Sequence, residues 1–252
     1  MKKKMIALLA GALMTLAASN AMAAFGNAEL VRVVYNHLGT VEVATDLGNI
    51  DAIIAGGAVA ADTFKLSSIT GATSTADLYV SYFASNYTGS ATTNKAYMNA
   101  DAAPAMGSYT NFNTGVSNAV NNYYNYLSTT NAGATTVTGQ TSYANSFTTQ
   151  LAKGGVAYGS MNSSLYNSTG GEQNLATLLS TGGKSTIYSF TNFGRNPVTG
   201  TSALALTTNF DTVTGIGSTS IAPAATPTPI PAAAYLLGSG LLGLVGIRRK
   251  QK

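Results

Sequence analysis

The residues able to do chemistry are few, and their spacing limits what that chemistry could be. His37 is the only histidine of the 252-residue chain. A multi-histidine metal site is thereby excluded, and any Ser-His-Asp relay must use this one imidazole as its base. His37 lies in a turn-like N-H-L-G-T stretch with no G-x-S-x-G element in support, so an exposed turn residue is expected. Gly183-Lys184-Ser185 has the ending of a phosphate loop, but that motif needs a glycine five positions before Gly183, where Leu178 stands. Asp46, Asn49 and Asp51 offer oxygen ligands for calcium without the alternate-residue acids of a known loop. The competing expectation is a capped turn in which they bond their own backbone. Glycoside hydrolysis needs two carboxyls about 5–10 Å apart, and no local pattern among the nine scattered acids selects a pair. No catalytic residue, cofactor site or metal site is assigned, and a non-enzymatic protein is expected. Tyr79, Tyr82, Tyr87, Tyr97 and Tyr109, set among Asn and Thr, suit stacking on sugar rings as well as core packing.

The elements that would position these residues are mostly strands. Residues 30–35 (L-V-R-V-V-Y) and 41–45 (V-E-V-A-T), joined by a turn holding Asn36 and Gly39, predict a hairpin. Residues 45–61 read as a turn followed by either a strand or a short helix. Residues 63–69, 77–84 and 94–100 look extended, and in D-L-Y-V-S-Y-F-A both faces carry apolar side chains, as in a strand covered on both sides. The period then changes. Phe112, Val116, Ala119, Val120, Tyr123, Tyr124 and Leu127 mark one helix face, and Tyr143, Phe147 and Leu151 a second, shorter helix ending at Gly154-Gly155. A third helix is expected over 172–179, stopped by Gly182. Residues 185–193 and 201–210 predict a further pair of strands. From residue 215 the chain turns to Gly, Ser, Thr and Pro and reads as an extended linker.

The net charge of +4 belongs to the ends. Lys2, Lys3, Lys4, Arg248, Arg249, Lys250 and Lys252 are seven of the 13 basic residues, which leaves six against all nine acids between residues 24 and 231. That interior carries −3, so a nucleic-acid partner is not expected. Residues 1–23 have a Lys-rich start, an apolar run over 5–18, and Ala21-Met22-Ala23 as a small-x-small cleavage site, giving a secretory signal whose product begins at Ala24. An uncleaved N-terminal anchor, the alternative, needs about 20 apolar residues, more than this run supplies. Cysteine is absent, so the exported part must hold itself together by core burial or by oligomerisation.

At the other end, residues 232–247 form an uncharged apolar run of 16 between a Pro-rich hinge and Arg248, Arg249 and Lys250. As a helix it would span about 24 Å, short of a hydrocarbon core of about 30 Å, so its flanks must help it cross. Gly238, Gly240, Gly243 and Gly246 give it a small-residue face, and the basic stop stays cytoplasmic under the positive-inside rule.

Pro229, Ile230, Pro231 and Ala232, followed by L-L-G-S-G-L-L-G-L-V-G and the basic end, resemble the sorting tail of the PEP-CTERM group of exported bacterial proteins, in its V-P-x-P-A variant. Thr228 stands where that variant usually has Val, and Tyr235 where Trp is common. The resemblance covers about a tenth of the chain. It implies recognition in the inner membrane by an exosortase, a membrane-embedded cysteine protease-like enzyme that removes the tail and passes the protein outward. It also implies a Gram-negative host that makes a polysaccharide matrix. The run at 30–35 with E-V-A-T-D-L-G at 42–48 is similar to members of the group as well, and brings no activity with it.

The expected fold class is therefore α+β and β-rich: an antiparallel β-sandwich-like ectodomain with two or three inserted helices, an N-terminal signal helix and a C-terminal single transmembrane helix. Its parts are the signal peptide (1–23), exported domain (24–214), linker with sorting motif (215–231), transmembrane helix (232–247) and basic cytoplasmic tail (248–252). The expected partners are signal peptidase and exosortase, acting transiently on a precursor in the inner membrane, and extracellular polysaccharide. A structural or adhesive protein of the cell surface or biofilm matrix is the leading expectation, and a polysaccharide-binding or polysaccharide-modifying protein the alternative.

Overall fold

Apolar side chains on both faces of consecutive strands require protein on both sides of a sheet, and the chain supplies it from its own helices and from the sheet's curl. The computed structural model describes residues 25–86, 93–100, 105–106, 118–130, 136–150, 165–166, 171–191 and 198–222. The chain divides into Met1–Ala222 and Pro223–Lys252, and every described residue belongs to the first unit. Residues 1–23, 232–247 and 248–252, with the signal, membrane-span and basic-stop assignments they carry, lie outside the described residues. Among the described residues no helix is long and apolar enough to cross a membrane.

The elements in order are β1 (Glu29–Tyr35), β2 (Val41–Asn49), α1 (Ile50–Ile54), β3 (Thr63–Lys65), β4 (Tyr79–Asn86), β5 (Lys95–Ala100), β6 (Ala105–Met106), α2 (Asn118–Thr130), β7 (Thr136–Gln140), α3 (Phe147–Gln150), β8 (Leu165–Tyr166), β9 (Gln173–Asn174), α4 (Leu175–Ser180), β10 (Lys184–Phe190), β11 (Val198–Thr199), β12 (Thr201–Asp211) and β13 (Ile216–Ile221). Ten strands make one sheet in the order β3-β13-β12-β10-β5-β4-β1-β2-β7, with β9 added to β4, and β11-β6-β8 form a separate small sheet. Every pairing is antiparallel. The expected hairpin is present as β1 and β2, with Val33 opposite Ala44. The expected partners β10 and β12 are also paired, with Ile187 opposite Leu204.

Alternation along β1 assigns two cores. Val31, Val33 and Tyr35 join Phe83, Met98 and Phe190 under α2, which contributes Val120, Tyr123, Tyr124 and Leu127. Leu30 and Val34 point the other way, toward Val80, Tyr82, Phe64, Ile187 and Leu206, with α1 and α4 at the margin. Each fully buried side chain of this size is worth about 1.5–3 kcal/mol relative to exposure, so both faces contribute to stability.

The second core exists because the sheet curls into a half-barrel that brings β12 and β13 across from β1 and β4. The Tyr82 hydroxyl shares hydrogen bonds with Thr208 Oγ1 (2.6 Å) and Thr219 Oγ1 (2.9 Å). Arg32, fully buried, donates from Nη1 to Thr219 Oγ1 at 3.0 Å and from Nη2 to Thr45 Oγ1 at 2.7 Å. The sandwich expectation is corrected accordingly: the two facing layers are parts of one sheet, continuous through the pairing of β10 with β5. The linker expectation is corrected as well. Residues 216–221, placed there for their Gly, Ser and Thr, are β13 and pair with both β12 and β3. A Cβ on Gly217 would lie 2.0 Å from the Phe64 ring, so the glycine that reads as linker is a packing requirement.

Candidate functional site

His37 sits in the predicted hairpin turn, but it is not free. β1 pairs with β4 so that Tyr35 faces Tyr79, and β9 adds to β4 at that same residue, carrying Glu172 to the end of β1. There His37 Nε2 donates to Glu172 Oε1 at 2.8 Å, and the Tyr35 hydroxyl donates to the other carboxylate oxygen. The imidazole stands edge-on to Tyr79 with ring centres 4.4 Å apart. Its side chain is 29% exposed, and that of Glu172 only 9%. A carboxylate that orients an imidazole is one half of a hydrolytic relay. Among the described residues no hydroxyl is hydrogen-bonded to the ring to supply the other half. The pair clasps the hairpin to β9. The sequence carried no signal for Glu172 here, since it is 135 positions away.

Next to Glu172 a cleft of about 370 Å³ is lined by Ala100, Gln173, Asn174, Thr177, Leu178, Thr181, Lys184 and Thr186. Most of its polar groups are already engaged. Gln173 Oε1 accepts from Asn99 Nδ2 (3.0 Å) and Ser185 Oγ (2.7 Å). Asn174 caps α4 by accepting from the Thr177 amide at 3.2 Å and donates to the Ala76 carbonyl at 2.8 Å. Among the described residues of the lining Glu172 is the sole carboxylate, where glycoside hydrolysis uses two. Gly183-Lys184-Ser185 opens strand β10 rather than a helix, so the phosphate reading fails on structure as it did on sequence. Gly183, at φ 71°, ends the α4 turn.

The three oxygen donors considered for calcium are each engaged with other groups of the protein. Asp46 accepts from the Gly48 amide (2.8 Å) and the Phe25 amide (3.2 Å). Asn49 caps α1 through the Ala52 amide, as the capped-turn alternative anticipated. Asp51 accepts from Lys95 Nζ at 3.0 Å and the Tyr97 hydroxyl at 2.7 Å. Partial burial alone would raise the Asp51 carboxyl, but the bonds from Tyr97 and Lys95 outweigh it and hold it below its ordinary value. Among the described residues no group of three or more His, Cys, Asp or Glu could hold a metal ion.

Of two acids that sequence reasoning passed over, Glu42 is buried and Glu29 half-buried. Glu42, in β2, accepts from the amides of Phe147 (2.8 Å) and Thr148 (2.9 Å) and from the Thr148 hydroxyl (2.8 Å), which fixes the start of α3. Burial nevertheless raises its carboxyl above the ordinary range. Glu29 is pushed up to about 7 by burial and by the neighbouring Asp46. Of the tyrosines considered for sugar stacking, Tyr82 and Tyr97 are buried and Tyr79 is packed against the core. Tyr87 and Tyr109 lie outside the described residues, as do Ala21, Ala23, Ala24, Pro229, Ile230, Pro231, Ala232, Arg248, Arg249 and Lys250. These positions define a β-rich antiparallel protein whose polar groups mainly hold its own elements in place. No protein-family model, no curated protein and no solved structure matches the chain.

Proposed function

We propose that the chain is an exported, exosortase-sorted, non-enzymatic protein with a structural or adhesive role in the cell envelope or biofilm matrix of a Gram-negative bacterium. The observation that carries this reading is the tail, in which Pro229, Ile230, Pro231 and Ala232 precede an uncharged apolar run and Arg248, Arg249 and Lys250. In this reading residues 1–23 are a signal helix and 232–247 a membrane span, held in the inner membrane until the tail is cut. The described fold supports a structural role through what its reactive side chains do. His37, Glu172, Asp46, Asp51 and Glu42 are all committed to contacts between elements. Fractionation of expressing cells tests the reading. A full-length form is expected in the inner membrane and a form shortened at both ends outside. Uncut chain found soluble in the cytosol would refute it.

A second reading, polysaccharide binding, is favoured by one feature, the cleft lined by Gln173, Asn174, Thr177 and Thr186. Amide and hydroxyl groups at such a rim match sugar hydroxyls. Pull-down on the host's own polymer separates the two, since saturable binding lost in Thr186→Trp would assign the cleft to sugar.

A further inference from the structure

The cleft beside Glu172 sits at a break in the sheet. β5 ends at Ala100, opposite Thr186 of β10. One strand further, β4 pairs with β5 only as far as Phe83 and Met98, and then takes β9 through Val80 and Tyr79. Past the end of β5, β9 and β10 therefore face each other with no ladder between them among the described residues, linked by the bond from Ser185 Oγ to Gln173 Oε1 at 2.7 Å. The space left is about 370 Å³, within the range of about 300–1,000 Å³ usual for small-molecule sites.

Its polar groups divide into those already used and those that are not. Glu172 accepts from the Tyr35 hydroxyl on one oxygen and from His37 on the other. Gln173 Oε1 holds two donors, Asn99 Nδ2 and Ser185 Oγ. Asn174 Oδ1 receives the Thr177 amide and hydroxyl, while its Nδ2 donates to the Ala76 and Leu78 carbonyls. Thr181 Oγ1 donates to the Leu178 carbonyl at 2.9 Å. Among the described residues of the lining, Lys184 and Thr186 are the polar ones whose side chains make no hydrogen bond or ion pair. They stand two residues apart in an unbroken part of the β10 register, so they share one face of the strand at a separation of about 7 Å.

This imbalance selects among sugars. The side-chain acceptors of the lining already hold donors, and what remains is an ammonium with its N–H groups and one hydroxyl. A neutral hexose brings hydroxyls that need acceptors as well as donors, whereas a carboxylate only accepts. We infer that the cleft takes a hexuronate, whose carboxylate pairs with Lys184 and whose ring hydroxyl meets Thr186, so that the polymer this protein holds is an acidic polysaccharide. The inference rests on the second reading above, in which the cleft binds sugar. Glu172 does not oppose such a ligand from an open position, since its side chain is 9% exposed and each oxygen is covered by a donor. Residues 24–231 carry net negative charge, so attraction over distance does not favour an anion. The preference comes from direct contact with Lys184 and is to be measured at about 0.15 M salt, where the Debye length is about 8 Å.

The test uses the whole chain purified in detergent and calorimetric titration with matched trimers, galacturonate against galactose and glucuronate against glucose. Within each pair a carboxylate replaces a hydroxymethyl group. An acidic trimer is expected to bind about tenfold or more tighter than its neutral counterpart, as a hydrogen bond to a charged group allows. Lys184→Gln should abolish that preference and leave neutral binding unchanged, Lys184→Arg should keep it, and Thr186→Trp should abolish binding of both. Lys184 is exposed, and circular dichroism checks that its variants are folded. Equal affinity for acidic and neutral trimers, with both lost in Thr186→Trp, would overturn the hexuronate and leave the cleft as a sugar site. A preference that survives Lys184→Gln would place the anion contact elsewhere and overturn it as well. Absence of binding by every trimer, or binding that survives Thr186→Trp, would overturn both the inference and the reading beneath it.

Discussion

Glu42→Ala is the substitution for which the structure gives the clearest magnitude. Three donors converge on this carboxylate: two backbone amides at the start of α3 and the Thr148 hydroxyl. A buried amide left without an acceptor costs about 1–3 kcal/mol. The Phe147 amide is buried and the Thr148 amide partly so, which sums to about 2–5 kcal/mol. Against this stands relief of the desolvation that raises the carboxyl despite its donors. A net loss of about 2–4 kcal/mol is expected. Glu42→Gln keeps one acceptor oxygen but turns an amide N–H toward a backbone donor, so about 1–2 kcal/mol is expected. The sign of the pH dependence follows from the upward shift. A carboxyl that holds its proton more tightly when folded contributes most where it is protonated, and that contribution falls as pH rises above its ordinary value of 4.5. The penalty for Gln should therefore shrink from pH 4.5 toward neutrality. Urea unfolding followed by far-UV circular dichroism measures these differences. Near-UV signal reports locally on Phe147, whose ring centre lies 5.1 Å from that of Tyr35 and 5.6 Å from that of Phe83. If Ala and Gln both fall within about 0.5 kcal/mol of the parent, the carboxylate does not hold the helix start and the reasoning fails.

Arg32→Ala should cost about 3–5 kcal/mol in the same assay, because it empties a buried site and removes the donor shared by Thr45 and Thr219. Arg32→Met should cost less, since it fills most of the volume without burying a charge. A chain ended after Ala222 should fold, whereas one ended after Thr214 should aggregate, because loss of β13 exposes the edges of β12 and β3; size-exclusion chromatography distinguishes them. Glu172→Ala should cost about 2 kcal/mol, since it leaves the Tyr35 hydroxyl without this acceptor, while His37→Ala at a partly exposed pair should cost about 1 kcal/mol or less. Equal costs would show that the clasp depends on the ion pair rather than on the buried tyrosine.

What the sequence made legible and what it hid divide along a physical line. The hairpin of β1 and β2 was readable because its alternation and its Asn36–Gly39 turn are local, and so was the pairing of β10 with β12. The apolar face of α2 was equally plain in Val120, Tyr123, Tyr124 and Leu127. β7 gave little signal, since T-V-T-G-Q buries only Val137 and Gly139 and its partner β2 is about 90 residues earlier. β13 was hidden more deeply. Its inward residues are Gly217 and Thr219, one small enough to pass beneath Phe64 and the other an acceptor for Arg32. Neither is hydrophobic, so no hydropathy pattern could mark the strand; both are chosen by a wall of the half-barrel that arrives from β1 and β3. The same holds for the contacts a site search would seek. Glu172 meets His37, and Glu42 meets Phe147, only after the sheet has brought distant strands together. In a chain with 9% charged residues, the buried side-chain bonds combine Arg32, Glu42 and Asp46 with neutral hydroxyls and amides drawn from distant parts of the chain, and such bonds leave no motif. The apolar and basic runs of the two ends are read locally in the sequence, whereas what holds the protein together lies in residues whose role depends on partners far along the chain.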